Sequence, residues 1–327
     1  MKKYVFTCGD INGIGPEIVV KTLNKLYTRN QSSFSFICPA NVFLSVIKKN
    51  PVNFEYEISD NAGQIGNKKI QIIDIGKVPQ NLGKPTSESG LAAYNAIKLS
   101  FELSRKKIVD GIITAPISKT ALKIAGINFP GHTELYAHWC KTRLYAMTFL
   151  SHKMNAALIT IHEPLKKVPG MITKKILREK FDIVFNLLKI DLRILSPKIA
   201  VLGLNPHAGE NGFIGKEEEE IINPIINEKK YSKYFNGAFS SDAFFANKLF
   251  LNYDLVLGLY HDQILIPFKL LNFEKGVNYT AGLPLVRTSP DHGTAFDIAG
   301  DNIASESSLL QAYYYAEKII KNRVMLS

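Results

Sequence analysis

The sequence predicts an α/β fold built as two lobes, and three observations carry that expectation. First, 327 residues with 46% apolar and 21% charged content have the make-up of a globular protein, at a length where a single core gives way to two. Second, short apolar runs at 3–8, 34–38, 110–114, 198–204 and 256–260 alternate with amphipathic segments at 16–27, 86–107, 172–188 and 305–321. Strands alternating with helices define α/β proteins. Third, polar residues cluster directly after several of the apolar runs, where the carboxyl ends of strands place ligands in open α/β sheets.

Each element has a local reason. The first run leads into GDINGIGPE, where Pro16 suits the first position of a helix reaching about Tyr27. Gly13 and Gly15 are not followed by a third glycine at dinucleotide spacing. The turn is therefore either an anion cradle at a helix N-terminus or a tight backbone turn. Strands are expected at 34–38, 54–58 and 69–75. The long helix at 86–107 takes its apolar side from Leu91, Tyr94, Ile97, Leu99 and Leu103. The run 110–114 ends in TAPISKTAL, where Ser118 either joins an anion corner or caps a helix. In FPGHTELYA, Gly131 turns the chain, Thr133 caps a helix starting near Glu134, and His132 points outward.

Further along, 145–150 and 155–161 read as paired strands, the second leading into His162. The run 198–204 enters NPHAGENG, with Asn205, His207 and Glu210 among turn residues. The EEEE run at 217–220 reads as a solvated first helical turn favoured by the helix dipole. Ser241-Asp242 opens a helix through Leu251, leaving Asp242 to face a cleft. The run 256–260 delivers His261 and Asp262, and the apolar run 264–268 delivers Lys269. Asn278, Thr280, Arg287 and Thr288 follow in turn-rich chain punctuated by Gly276, Gly282 and Pro284. Lys and Arg suit anions, one as a point charge and the other as a bidentate fork.

Composition narrows the function classes. Lys and Arg total 40 against 29 Asp and Glu, a net charge of +11. The basic residues are scattered in Lys pairs without interleaved aromatics, which favours small anions over nucleic acid. Three cysteines, Cys8, Cys38 and Cys140, lack the spacing of a zinc motif or a disulfide framework. No run approaches the ~20 apolar residues of a membrane span, and the run after MKK breaks at Gly9-Asp10, too early for a signal segment. A cytoplasmic protein is expected, with no membrane and no nucleic-acid partner.

Of seven histidines, three follow strand-like runs: His162, His207 and His261. Each alone reads as a hydrogen-bonded structural residue; together at strand ends they suit a catalytic divalent ion. His138 and His152 read as surface or structural, His292 as catalytic or a loop anchor, and Trp139 as core.

The segments GDINGIGPE, TAPISKTAL, PGHTE, LNPHAGENG, YHDQ and NYTAGLPLVRTSPDHGTAFDIAG, in that order from Gly9 to Gly300, resemble the signatures of the 4-hydroxythreonine-4-phosphate dehydrogenase family of pyridoxal phosphate biosynthesis. The resemblance implies a three-layer α/β/α fold like that of isocitrate and isopropylmalate dehydrogenases, with two domains around a cleft. By that analogy one lobe takes 1–115 plus 275–327, and 116–274 forms the other, with the metal ligands and dimer contacts. It implies a homodimer whose metal ligands are His162, His207 and His261, one of them from the partner subunit. Substrate contacts fall on His132, Thr133, Lys269, Asn278 and Arg287, with Asp242, Asp262 and Lys269 as candidate general bases. The implied cofactors are NAD or NADP and one divalent ion (Zn, Mg, Co or Mn). The implied reaction oxidises 4-phosphooxy-L-threonine and decarboxylates it to 3-amino-2-oxopropyl phosphate. A sister dehydrogenase of 4-phosphoerythronate or phosphothreonate, and a phosphate acyltransferase-like enzyme, are the alternatives. The departures from the family pattern are Ile11-Asn12 for Pro-Ala, Ser118 for Asn, Ile264 for Gly and Ala281 for Leu.

Overall fold

The computed structural model describes residues 1–28, 32–60, 70–129, 131–272 and 274–325. Lys69, at the start of one expected strand, and Pro130 of the PGHTE segment lie outside these. The described residues form twelve strands and eleven α-helices, numbered along the chain, in two compact units. Unit 1 comprises 1–141 and 284–320, and unit 2 comprises 142–283 and 321–327. The expected boundary at 115/116 thus differs from the observed one at 141/142. The reason is local: residues 119–139 pack on the long helix of unit 1 and around its buried arginine.

In unit 1, β1 (Lys3–Thr7), β2 (Ser33–Ile37), β3 (Tyr56–Ser59), β4 (Ile70–Ile73), β5 (Gly111–Thr114) and β12 (Val286–Pro290) run parallel in the order β3-β4-β2-β1-β5-β12. Most of these strands are buried along their whole length rather than at alternate residues, as expected where helices cover both faces of a sheet. Helix α11 (Ser307–Val324) covers one face by setting Tyr313 edge-on against Tyr4 and Phe34, with ring centroids 5.0 and 5.5 Å away. Helix α3 (Ser87–Arg105) begins in a reciprocal cap between Thr86 and Ser89. Its buried face carries Ile97 and Leu103 of the expected apolar side together with small residues, Ala92, Ala93, Ala96 and Ser100, while Leu91 is exposed. A short face lets α3 approach α4 (Lys119–Ile124) so closely that a Cβ at Gly90 would lie 2.2 Å from Ala121 O.

The GDINGIGPE turn resolves as a packing device. It precedes α1 (Gly15–Tyr27), with Pro16 in the first turn as the sequence indicates. A Cβ at Gly15 would meet Cys8 O at 2.2 Å, and one at Gly13 would meet Thr294 O at 2.6 Å. The glycines admit the protein's own backbone. Asn12 donates to Lys84 O and accepts from Asn81 N. Buried Asp10 accepts from Asn12 N and the Ser89 hydroxyl, and burial pushes its carboxyl above the usual range. Helix α2 (Ala40–Lys49) follows β2. Ser118 caps α4 by accepting from Ala121 N, the capping alternative rather than an anion corner.

Unit 2 contains β6 (Ala146–Leu150), β7 (Ala156–Leu158), β8 (Ile199–Leu202), β9 (Phe235–Phe239), β10 (Leu255–Gly258) and β11 (Val277–Ala281), in the order β11-β6-β7-β10-β8-β9. The β11–β6 and β6–β7 pairs are antiparallel and the rest parallel. Its helices include α6 (Val168–Met171), α7 (Lys174–Asn186), α8 (Asn223–Ile226), α9 (Ser241–Ala246) and α10 (His261–Asn272). Phe149, Leu158, Leu202, Phe244, Val256, Ile264 and Phe268 form its core.

Three local expectations change. The apolar run 264–268 lies inside α10, because Ile264, Leu265 and Phe268 recur at helical spacing on its buried side. The stretch 277–290 holds two buried strands rather than turns, since Val277–Ala281 pairs with β6 and Val286–Pro290 with β5. Within the EEEE run, Glu218 is 1% exposed, because its carboxylate turns inward to accept the backbone N–H groups of Leu204 and Asn205.

A buried polar knot closes unit 2. Arg323 donates to both Asp191 carboxylate oxygens at 2.7 and 3.2 Å, and the Tyr279 hydroxyl donates to the same carboxylate at 2.7 Å. Removing one partner of such a set leaves charge buried without compensation. Asp191→Ala is expected to cost about 3–5 kcal/mol in urea unfolding; a loss below about 1 kcal/mol, the size of an exposed pair, would contradict this role.

Candidate functional site

In unit 1 the functional residues gather around Arg287, the largest side chain among those fully buried, at 2% exposure. The β12–β5 register sets Arg287 beside Ile112. From there its Nε and Nη2 both donate to the hydroxyl of Thr114, at 3.0 and 2.7 Å. Its guanidinium carbon lies 5.9 Å from the centre of the Tyr136 ring, and the Tyr136 hydroxyl is fixed 2.6 Å from Ser100 Oγ. Among the described residues Arg287 has no salt bridge. Burial therefore lowers its pKa to about 10, against smaller opposing effects of Tyr136 and Glu134. A hydroxyl and a ring face hold a guanidinium in place without neutralising it, so the group is prepared for an incoming anion.

His132 and Thr133 stand beside it. Helix α5 (His132–Trp139) starts two residues earlier than expected: Gly131 takes the cap position, and Thr133 is buried within the first turn rather than capping it. His132 Nε2 is buried, with no hydrogen-bond partner among the described residues. Burial, and then the neighbouring Arg287 charge, hold its imidazole neutral well below the usual range. Trp139 packs against Tyr94, Phe101 and Tyr136. His292 Nδ1 lies 3.1 Å from Gly293 O in the loop that follows β12.

In unit 2 the chemistry stands at strand carboxyl ends. His162 follows β7 and His261 opens α10 directly after β10. Their rings lie 5.8 Å apart between centroids, tilted by 41°. His261 Nδ1 is 2.6 Å from Asp262 Oδ1, the carboxylate partner that fixes the tautomer of a ligating imidazole. His207, in the loop after β8, lies near Asp242 at the start of α9. The Asp242 carboxyl is held below its usual range, first by the Ser240 hydroxyl at 2.5 Å and then by the Ala243 N–H, with a smaller contribution from His207. Lys269 sits two turns along α10 from Asp262, on the exposed side. Asn278 is on β11, its Oδ1 buried without a partner.

Two imidazoles, one of them backed by a carboxylate, are a donor set that suits a divalent ion. The pair His162–His261 fits that requirement. The full expected triad does not assemble within one chain: among the described residues no group of three His, Cys, Asp or Glu converges on a common point.

One organising residue escaped the sequence reading. Gln263, 7% exposed, accepts from Leu259 N at 2.6 Å and donates to Gly203 O at 2.6 Å and to Ser241 Oγ at 2.8 Å. One amide thus ties together the segments that carry His261, His207 and Asp242. Its only sequence signal is its place in YHDQ.

A buried, uncompensated guanidinium and a histidine–carboxylate group, each set by strand ends, are the equipment of an α/β enzyme for a small, charged substrate. Comparison with known proteins makes the class specific. The family described as pyridoxal phosphate biosynthetic protein PdxA matches residues 27–316. A 4-hydroxythreonine-4-phosphate dehydrogenase from Bacteroides thetaiotaomicron is 38% identical over 325 residues, covering 97% of this chain and 88% of that protein. One from Prosthecochloris aestuarii is 38% identical over 335 residues, covering 99% of each. The crystal structure of the Klebsiella pneumoniae enzyme of that name superposes with a TM-score of 0.82 at 34% identity, covering 98% of this chain and 100% of that one. The chain belongs to the PdxA family, the dehydrogenases of pyridoxal phosphate biosynthesis. A dehydrogenase of this family implies a nicotinamide cofactor. Among the described residues no helix is long and apolar enough to cross a membrane.

The neutral state of His132 has a pH consequence. In the unfolded chain it titrates near 6.5, above its folded value, so the unfolded state takes the proton first. Its contribution is fully present above that pH and is lost below it at up to about 1.4 kcal/mol per pH unit. In urea titrations between pH 6.5 and 5, His132→Gln is expected to lose stability less steeply than the native protein. Identical slopes would refute a buried neutral imidazole.

Proposed function

We propose that the chain oxidises 4-phosphooxy-L-threonine with NAD⁺ and decarboxylates the product to 3-amino-2-oxopropyl phosphate. The observation that carries this reading is the buried Arg287 guanidinium, held by Thr114 and Tyr136 with no salt bridge among the described residues, in a chain of this family. Arg287, His132 and Thr133 bind one anionic end of the substrate. Lys269 and Asn278 supply further contacts, Asn278 through its unpartnered Oδ1.

In the chemistry, the secondary alcohol gives its hydride to the nicotinamide and its hydroxyl proton to a base. Asp262 is engaged with His261, so Asp242 and Lys269 are the favoured proton acceptors. The electron pair of the departing C–CO₂ bond then enters the new carbonyl, and a proton returns to carbon. A divalent ion (Zn, Mg, Co or Mn) held by His162 and His261 would polarise the reacting oxygen. His207 of the partner subunit completes that set in a homodimer. Exposed apolar side chains beside these residues support such an interface: Phe213, 88% exposed, follows the His207 loop, and Leu270, 82% exposed, lies on α10. NAD is favoured, with NADP as the alternative carrier, in the cytoplasm.

The departures at Ile264 and Ala281 fall on buried positions, 0% and 1% exposed, and so bear on packing. That supports the threonine substrate over phosphorylated sugar acids.

The test is NADH formation from 4-phosphooxy-L-threonine, with and without chelator. Activity that stops in chelator and returns with a divalent ion is expected, and Arg287→Ala should cost about 2–5 kcal/mol in kcat/KM. Activity only on 4-phosphoerythronate or phosphothreonate would replace the substrate; undiminished activity in chelator would remove the metal.

A further inference from the structure

We infer that Glu218 is a positioning residue for His207, holding a left-handed loop in the one shape that presents the imidazole. The inference rests on the reading of His207 as a metal ligand.

The backbone from His207 to Gly212 turns left-handed at six consecutive residues, with φ of 52, 50, 79, 43, 54 and 83°. Four of them, His207, Ala208, Glu210 and Asn211, are not glycine. L-residues visit this region singly, because Cβ crowds the following carbonyl. A run of this kind persists only where its surroundings over-determine it.

The surroundings here centre on one carboxylate, with a second beside it. Glu218 Oε1 accepts from Leu204 N at 2.6 Å and Asn205 N at 2.8 Å, and its Oε2 accepts from Asn205 Nδ2 at 2.9 Å. The same Asn205 Nδ2 donates to Glu217 Oε2 at 2.7 Å. A Cβ at Gly209 would stand 2.7 Å from Glu218 Oε2, and one at Gly203 would stand 3.1 Å from Oε1. The carboxylate is therefore wedged between the glycines on either side of His207. Among the described residues Glu218 has no salt bridge, so the loop's own N–H groups are what it holds. His207 itself is exposed and leaves the loop outward. Metal affinity depends on such outer contacts because they fix the ligand before the ion arrives.

The test uses the full-length protein, stripped of metal and titrated with Zn²⁺ against a chromophoric chelator. Glu218→Ala is expected to bind Zn²⁺ about 10–100-fold more weakly. Glu218→Gln keeps one acceptor for Leu204 and Asn205 but turns an amide N–H against Asn205 Nδ2; a fall of about 3–10-fold is expected. A purely structural residue would lower the metal-free melting temperature yet leave the upward shift produced by Zn²⁺ unchanged. Here that shift itself should shrink. His207→Ala run alongside separates the two claims. If it binds Zn²⁺ like the native protein, His207 is not a ligand and the inference falls with that reading. If it is weakened while Glu218→Gln stays within about twofold of native, near the smallest effect attributable to a lost contact, the positioning role alone is overturned.

Discussion

The constraint on which unit 1 turns is a guanidinium that is buried but not neutralised. Arg287 is enclosed by strand neighbours, an aromatic face and a single hydroxyl. Proteins rarely tolerate a buried cation without a carboxylate. The proposed substrate anion would supply the negative charge that the described residues give it only weakly, through Glu134. Much of the surrounding architecture follows. Ser100 fixes Tyr136, which faces the guanidinium, and burial, with the guanidinium charge second, keeps His132 uncharged beside it. A neutral imidazole can then donate to, or accept from, a bound acid without adding charge to a buried place.

Unit 2 solves a different problem. Three parallel strands, β7, β8 and β10, release their chains at the same sheet edge, and the segments that follow carry His162, His207 and His261. Gln263 joins these segments from within, and Glu218 holds the most contorted of them. Both are buried polar side chains that each bond two backbone groups and one neighbouring side chain, an arrangement that gives a site rigidity rather than raw stability.

How much of this could be read from residues depended on whether the signal was local. Strands β1, β2, β5, β8 and β10 are short, mostly apolar runs, so their carboxyl ends, and hence His261 and the approach to His207, were legible. The pairing of β6 with β7 was legible from two short runs separated by polar residues. Strands β11 and β12 read as turns because Gly276, Gly282 and Pro284 punctuate them, whereas partners distant in sequence make them strands. Glu218 could not be told from its three glutamate neighbours, since only the fold decides which turns inward. On α3 the expectation held for Ile97 and Leu103 but failed for Leu91, because close approach to α4 rewards Ala92 and Ala96 on the buried side. Gly13 and Gly15 fitted two readings, and only the contacts with Thr294 and Cys8 chose packing.

The claim most open to direct contradiction is that each metal site draws on both subunits. Separately prepared His162→Ala and His207→Ala proteins should each be inactive. After dissociation and random re-association, a hybrid dimer keeps one intact site if His207 serves the partner's His162 and His261. NADH formation should then recover to about a quarter of the native rate, from half the dimers carrying one site of two. No recovery, with hybrid dimers demonstrated by tag-based capture, would place all the ligands of each site in a single chain and contradict the shared site.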